Sequence, residues 1–133
     1  MRLRLRKCRA FTLLELIVVI IIVGILAALG LIEFTKTLEK SRSAEARRVL
    51  GSIRTAQDTY KFESGSYTAV AANLPVEFPE SCDSKHYFWY SLDAVSASAK
   101  RCTAGGRFPN VGTSYTITLT YSNGVWGGTT GYY

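Results

Sequence analysis

One acid, Glu15, sits at the head of an otherwise apolar run. A carboxylate at the edge of a lipid-like segment is costly to desolvate, so a chain that keeps one there has a use for it with a positive partner. The plainer alternative is an acid lying at headgroup level, fully solvated. Other candidates for chemistry are thin. His86 is the single histidine, between Lys85 and Tyr87, and reads as a surface or packing residue. No Ser-His-Asp set stands out, and Gly105-Gly106 and Gly127-Gly128 read as turns rather than phosphate loops. Cys82 and Cys102 are too far apart for a CxxC redox motif. These features point away from an enzyme and from a cofactor. Lys100, Arg101 and Arg107 form a small basic cluster near Cys102 and Phe108. It reads first as a solvated loop, and second as a patch for DNA or another anionic surface, weak per copy.

Glu15 is positioned by what surrounds it. Arg2, Arg4, Arg6, Lys7 and Arg9 precede it, and no residue from Leu16 to Ile32 is charged. Phe11 to Ile32 would be a helix about 33 Å long, enough to cross a bilayer core. A plain anchor and a signal peptide are the bland readings. A signal peptide, however, places its small-residue cleavage site after the apolar run, whereas here the small residue, Ala10, precedes it. The basic leader accounts for most of the formal net charge of +6, so the charge is a topology signal and not a nucleic-acid signal.

The helix is expected to continue to Ser64. No proline interrupts Glu33 to Ser64, and Phe34, Leu38, Ala46, Val49, Ile53, Ala56 and Tyr60 fall on one face. Lys36, Glu39, Lys40, Arg42, Glu45, Arg47, Arg48, Arg54 and Asp58 take the other. Gly51 is an interior weakness, and Gly65 suits the left-handed position after the helix. Phe11 to Ser64 would then be one helix of about 80 Å. Its first half must lie in lipid or against identical helices.

Ala10-Phe11-Thr12-Leu13-Leu14-Glu15-Leu16 resembles the processing and methylation site of type IV pilins and type II secretion pseudopilins. Gly24-Ile25-Leu26-Ala27-Ala28 continues the likeness, and Tyr60, Gly65, Tyr67 and Leu74 resemble the loop that follows the helix in those proteins. The resemblance implies that a prepilin peptidase removes residues 1–10, that the new amine of Phe11 is N-methylated, and that Glu15 pairs with the Phe11 amine of a neighbouring subunit. It implies a helical homo-oligomeric filament built by a dedicated assembly machine. The precursor would be a single-pass inner-membrane protein, N-terminus cytoplasmic, that passes into an extracellular pilus. Two departures stand out: Ala10 replaces the usual Gly, and Ile32 stands where many members carry Pro. Gly24 and Gly30 remain as weak points at which the helix could loosen.

On that topology Cys8 is lost with the leader. Cys82 and Cys102 remain as an even pair outside the cytoplasm, where a disulfide is favoured over two buried thiols. Pseudopilins of the major class usually hold calcium in a C-terminal loop. Calcium needs several oxygen ligands, and no Asp or Glu follows Asp93, so no such site is expected and a pilus subunit is favoured.

Residues 65–85 read as a connecting loop marked by Gly65, Pro75 and Pro79. Strands are expected over 86–92, weakly over 94–100, most clearly over 114–121, and briefly from Val125 after an Asn123-Gly124 turn. Tyr115, Ile117, Leu119 and Tyr121 share one strand face, which should pack on Val49, Ile53, Ala56 and Tyr60. The glycines after Trp126 suggest a flexible tail ending in Tyr132 and Tyr133.

The expected architecture is therefore α+β and type IV pilin-like, a long N-terminal helix on a small antiparallel sheet. Its parts would be leader 1–10, membrane and assembly half 11–32, amphipathic half 33–64, loop 65–85, and sheet region 86–133. The expected function is a structural pilin serving adhesion, motility or DNA uptake. The alternatives are a secretion pseudopilin, or an anchored binding module that never polymerises.

Overall fold

A computed structural model of the chain describes residues 11–107 and 114–132. Cys8, Ala10, Phe108 and Tyr133 lie outside the described residues. The chain divides into two compact units, Met1–Thr37 and Leu38–Tyr133.

Helix α1 spans Leu13–Ser64. It ends where Gly65 takes a φ of +86° and donates its N–H to Lys61 O at 2.8 Å, a left-handed stop that side-chain-bearing residues resist. In the first unit, every described apolar side chain of α1 from Leu13 to Leu29 is exposed.

In the second unit, β1 (Phe88–Leu92), β2 (Ser96–Arg101), β3 (Thr116–Thr120) and β4 (Trp126–Gly128) form an antiparallel sheet in sequence order. Alternation decides what each strand buries. Phe88 and Tyr90 on β1, Ala97 and Ala99 on β2, and Ile117 and Leu119 on β3 all face the core. The two alanines sit between larger partners, Tyr90↔Ala99↔Ile117 and Leu92↔Ala97↔Leu119. Small against large across the register lets the layer fill without voids. Ala46, Leu50, Ile53 and Ala56 bring the helix side of the same core.

The fold is the expected helix with an antiparallel sheet, and the differences are local. The first strand starts at Phe88 and not at His86, because Asp83 Oδ1 accepts the N–H groups of Lys85 and His86 at 2.7 and 3.0 Å and holds them in a turn. Asp93 likewise takes the N–H groups of Val95 and Ser96, delaying β2 to Ser96. Within the connecting loop, Ala71–Asn73 makes one 3-10 turn. Leu50 and Gln57, absent from the expected helix face, are fully buried, while Val49 and Tyr60 are only partly so. Gln57 fastens the loop to the helix: its Nε2 donates to Thr68 O at 2.6 Å and its Oε1 accepts from Thr68 N at 3.0 Å.

The tail read as flexible is tied into the sheet up to Tyr132. Thr129 N donates to Thr116 O at 2.8 Å, and Tyr132 stacks on Tyr115 with ring centroids 3.9 Å apart. Gly128 is needed there, since a Cβ would lie 2.1 Å from Thr116 O. Gly51 is different, because a Cβ on it would meet nothing within 4 Å outside the local helix backbone. Gly51→Ala is therefore expected to stabilise the chain by about 0.5–1 kcal/mol, seen as a higher urea midpoint of the detergent-solubilised protein. No rise in midpoint would mean that this turn of the helix carries a constraint beyond propensity.

Candidate assembly site

The start of α1 is built by Thr12 and Glu15. Glu15 N–H donates to Thr12 Oγ1 at 3.3 Å, while Glu15 Oε2 accepts from Thr12 N at 2.9 Å and from Thr12 Oγ1 at 2.8 Å. This is a reciprocal capping box, Thr at the cap and Glu three residues on, satisfying donors that a helix end would leave open. The pattern Thr-x-x-Glu could have announced it from the sequence. Glu15 thus has a local role besides any partner from another chain. Phe11, directly before the cap, is 76% exposed.

Leu13–Gly30 is long and apolar enough to cross a membrane, and none of it is buried within the molecule. Gly24 and Gly30 both lie inside the helix with open space around the position of a Cβ. The backbone is helical through Ile32. The arrangement is an exposed apolar rod headed by one carboxylate, which calls for lipid or for other copies of itself.

Cys82 and Cys102 are joined in a disulfide with Cα atoms 5.7 Å apart, across a sequence separation of 20 residues. Cys102 N–H also donates to Tyr87 O at 2.9 Å, so the bridge anchors the loop before β1 to the end of β2. In the chain-entropy account this loop length is worth about 3 kcal/mol. Reduction, or a Cys82→Ser/Cys102→Ser variant, is expected to lower the urea midpoint accordingly. An unchanged midpoint after complete thiol release would refute that contribution.

The basic cluster is not one solvated patch. Lys100 is exposed, 5.9 Å from the Trp89 ring centroid. Arg101, one residue on, points inward because strand alternation puts it on the face of Ala97 and Ala99, and its side chain is fully buried. It meets Glu39, which also departs from its expected place on a solvated helix face. Arg101 Nε donates to Glu39 Oε2 at 3.1 Å, and Nη1 donates to the carbonyls of Tyr87 and Cys102, both at 3.0 Å. Arg42 pairs with the same carboxylate, and the Tyr115 hydroxyl donates to it at 3.1 Å. Burial opposes the ionisation of Glu39, but the hydrogen bonds from Arg101 and Arg42, the Arg101 charge and the Tyr115 hydroxyl outweigh it. They hold the carboxyl below the usual carboxylate range. Burial, helped by the Glu39 charge, pushes the Tyr115 phenol up in turn.

His86 Nδ1 lies 2.9 Å from Asp83 Oδ1 at the surface, and that hydrogen bond is the main cause holding Asp83 below the usual range. Among the described residues no group of three or more His, Cys, Asp or Glu is placed to hold a metal ion.

A chain of this kind, an exposed apolar helix with a carboxylate at its head and a disulfide-tied α+β unit, has relatives. A family model described as the prokaryotic N-terminal methylation motif matches residues 5–31. The chain is 40% identical over 66 residues to the type IV major pilin protein PilA of Myxococcus xanthus (strain DK1622), covering 50% of this chain and 30% of that protein. It is 36% identical over 66 residues to the type II secretion system core protein G of Pectobacterium carotovorum subsp. carotovorum, covering 50% of this chain and 42% of that one. The matched part spans less than half the length of either relative. The chain thus carries the prokaryotic N-terminal methylation motif over residues 5–31 and, over half of its length, is similar to a type IV major pilin and to a type II secretion core protein.

Proposed function

We propose that this chain is a structural subunit of a type IV pilus. A prepilin peptidase cuts after Ala10, the Phe11 amine is methylated, and the apolar helix passes from the membrane into a filament of identical copies. The basic leader keeps the N-terminus on the cytoplasmic side by the positive-inside rule, with the second unit outside. Adhesion, motility or DNA uptake is the use such a filament serves. The observation that carries the reading is Leu13–Gly30, wholly exposed and headed by Glu15 within the methylation motif. In lipid this surface is solvated by acyl chains, and in a filament it buries against its own copies. The disulfide fits the oxidising side of the membrane.

The likeness to a core protein of type II secretion supports a second reading, a pseudopilin. One measurement separates them: the intact mass of the protein in a sheared cell-surface fraction and in membranes. A mass beginning at Phe11 with one added methyl group, found in the sheared fraction, is the expected result. Processed protein confined to membranes selects the pseudopilin. Full-length protein still carrying Met1 means that Ala10 blocks cleavage and overturns both.

A further inference from the structure

On one face of α1, Lys40, Ser43 and Arg47 fall at helical spacing and, with Gly131 and Tyr132, line a cleft of about 280 Å³. Ser43 is buried and its hydroxyl donates to Lys40 O at 2.7 Å. Lys40 is exposed and Arg47 half-buried, and neither has an acidic partner among the described residues. This differs from Arg42 and Arg101, which share Glu39 next door. Two uncompensated cations at a cleft, one of them a guanidinium suited to a bidentate carboxylate, make a receptor for an acid.

The same unit carries the complement. Glu77 and Glu80 are exposed on the loop before β1, also without a cationic partner among the described residues. Val76 and Phe78, on either side of Glu77 in the chain, are partly buried against the core. We propose that the cleft of Lys40 and Arg47 receives the Glu77–Glu80 loop of a second copy of this chain. The receptor and the loop are different surfaces, so the contact is heterologous. Heterologous contacts need not close and can propagate as an open helix. This inference deepens the filament reading and rests on it. It gives the second unit a charge-matched contact of its own beside the apolar contact of α1, one that selects for identical neighbours.

The test treats intact cells with a zero-length carbodiimide, which joins a lysine amine to a carboxylate it touches. Expected is a ladder of covalent multimers whose cross-linked peptides join Lys40 to Glu77 or Glu80. The ladder should be lost in Lys40→Gln and in Glu77→Gln/Glu80→Gln. A second measurement swaps the charges. Arg47→Glu should lower the sheared-filament yield several-fold, and Glu80→Arg in the same chain should restore it. Filaments that form normally while Lys40 cross-links only within one copy, or not at all, overturn this contact and leave the pilus reading intact. A Lys40–Glu80 ladder in membranes without any sheared filament overturns the pilus reading and leaves the contact.

Discussion

Surface filaments are expected to vanish from cells that carry Glu15→Ala, while the protein itself stays in the membrane at its normal level. Membrane retention needs only the apolar length of Leu13–Gly30, which the substitution leaves alone. Assembly needs more, because identical apolar helices can slide past one another without penalty. A carboxylate removed from water demands a cation, and on the proposed processing the Phe11 amine is one that every copy would carry. Pairing the two across copies would fix the axial register. The capping box gives this prediction a sharper form. Glu15 already closes the helix start with Thr12, and alanine removes both functions together. Glutamine keeps the cap, since Gln serves in a capping box as Glu does, but it carries no charge. Glu15→Gln should therefore fail to assemble as fully as Glu15→Ala. The readout is an immunoblot of sheared and membrane fractions from the same cells. Wild-type filament yield from Glu15→Gln would show that the cap is what assembly requires, and the charge pairing would be wrong.

What the sequence made legible follows from where its signals are strong. The helix is announced by the long absence of proline and by Gly65, and β3 by the alternation of Tyr115, Ile117, Leu119 and Tyr121, all buried. The centre of the helix face is displaced from the expected one. Ala46, Leu50, Ile53 and Gln57 form the buried line, and Gln57 disguises it, because a buried amide with both ends satisfied looks like a solvent residue in a hydropathy pattern. Arg101 was hidden for the same reason. Its signal was nevertheless present, since Ala97, Ala99 and Arg101 alternate with Ser98 and Lys100, which marks Arg101 as inward-facing. What sequence could not supply was the partner, because Glu39 lies 62 residues away. The assembly site is the reverse case. The roles proposed for Phe11 and Glu15 rest on the sequence motif and its resemblance, and the structure adds the local cap of Glu15 on Thr12. A partner on another chain is invisible in a single copy.

Arg101→Met should be the most destabilising single change in the second unit, costing about 3–5 kcal/mol. The guanidinium is fully buried, and it serves one carboxylate and the main-chain carbonyls of Tyr87, Cys102 and, at 3.5 Å, Arg107. Methionine keeps much of the volume, so the loss is electrostatic rather than a cavity. Arg42 and Tyr115 still reach Glu39, which places the expected cost towards the lower end. A second substitution, Glu39→Gln, in the Arg101→Met background should recover part of the loss, because the part-buried carboxylate then keeps only Arg42 and Tyr115 against its desolvation, which a neutral amide does not suffer. Urea unfolding followed through Trp89 and Trp126 measures all the variants in the detergent-solubilised chain. An Arg101→Met midpoint equal to wild type would remove the ion pair from any account of this fold.

Acid supplies an independent check on the same pair. The folded Glu39 carboxyl lies below its ordinary value, so its contribution is complete above the unfolded pKa of about 4.3 and drains away as pH falls through the folded value. The stability difference between wild type and Glu39→Gln should therefore be widest near neutrality and narrow on acidification. A difference that stays constant from neutral to strongly acidic pH would mean that Arg101 is held by its carbonyl acceptors and not by the charge of Glu39.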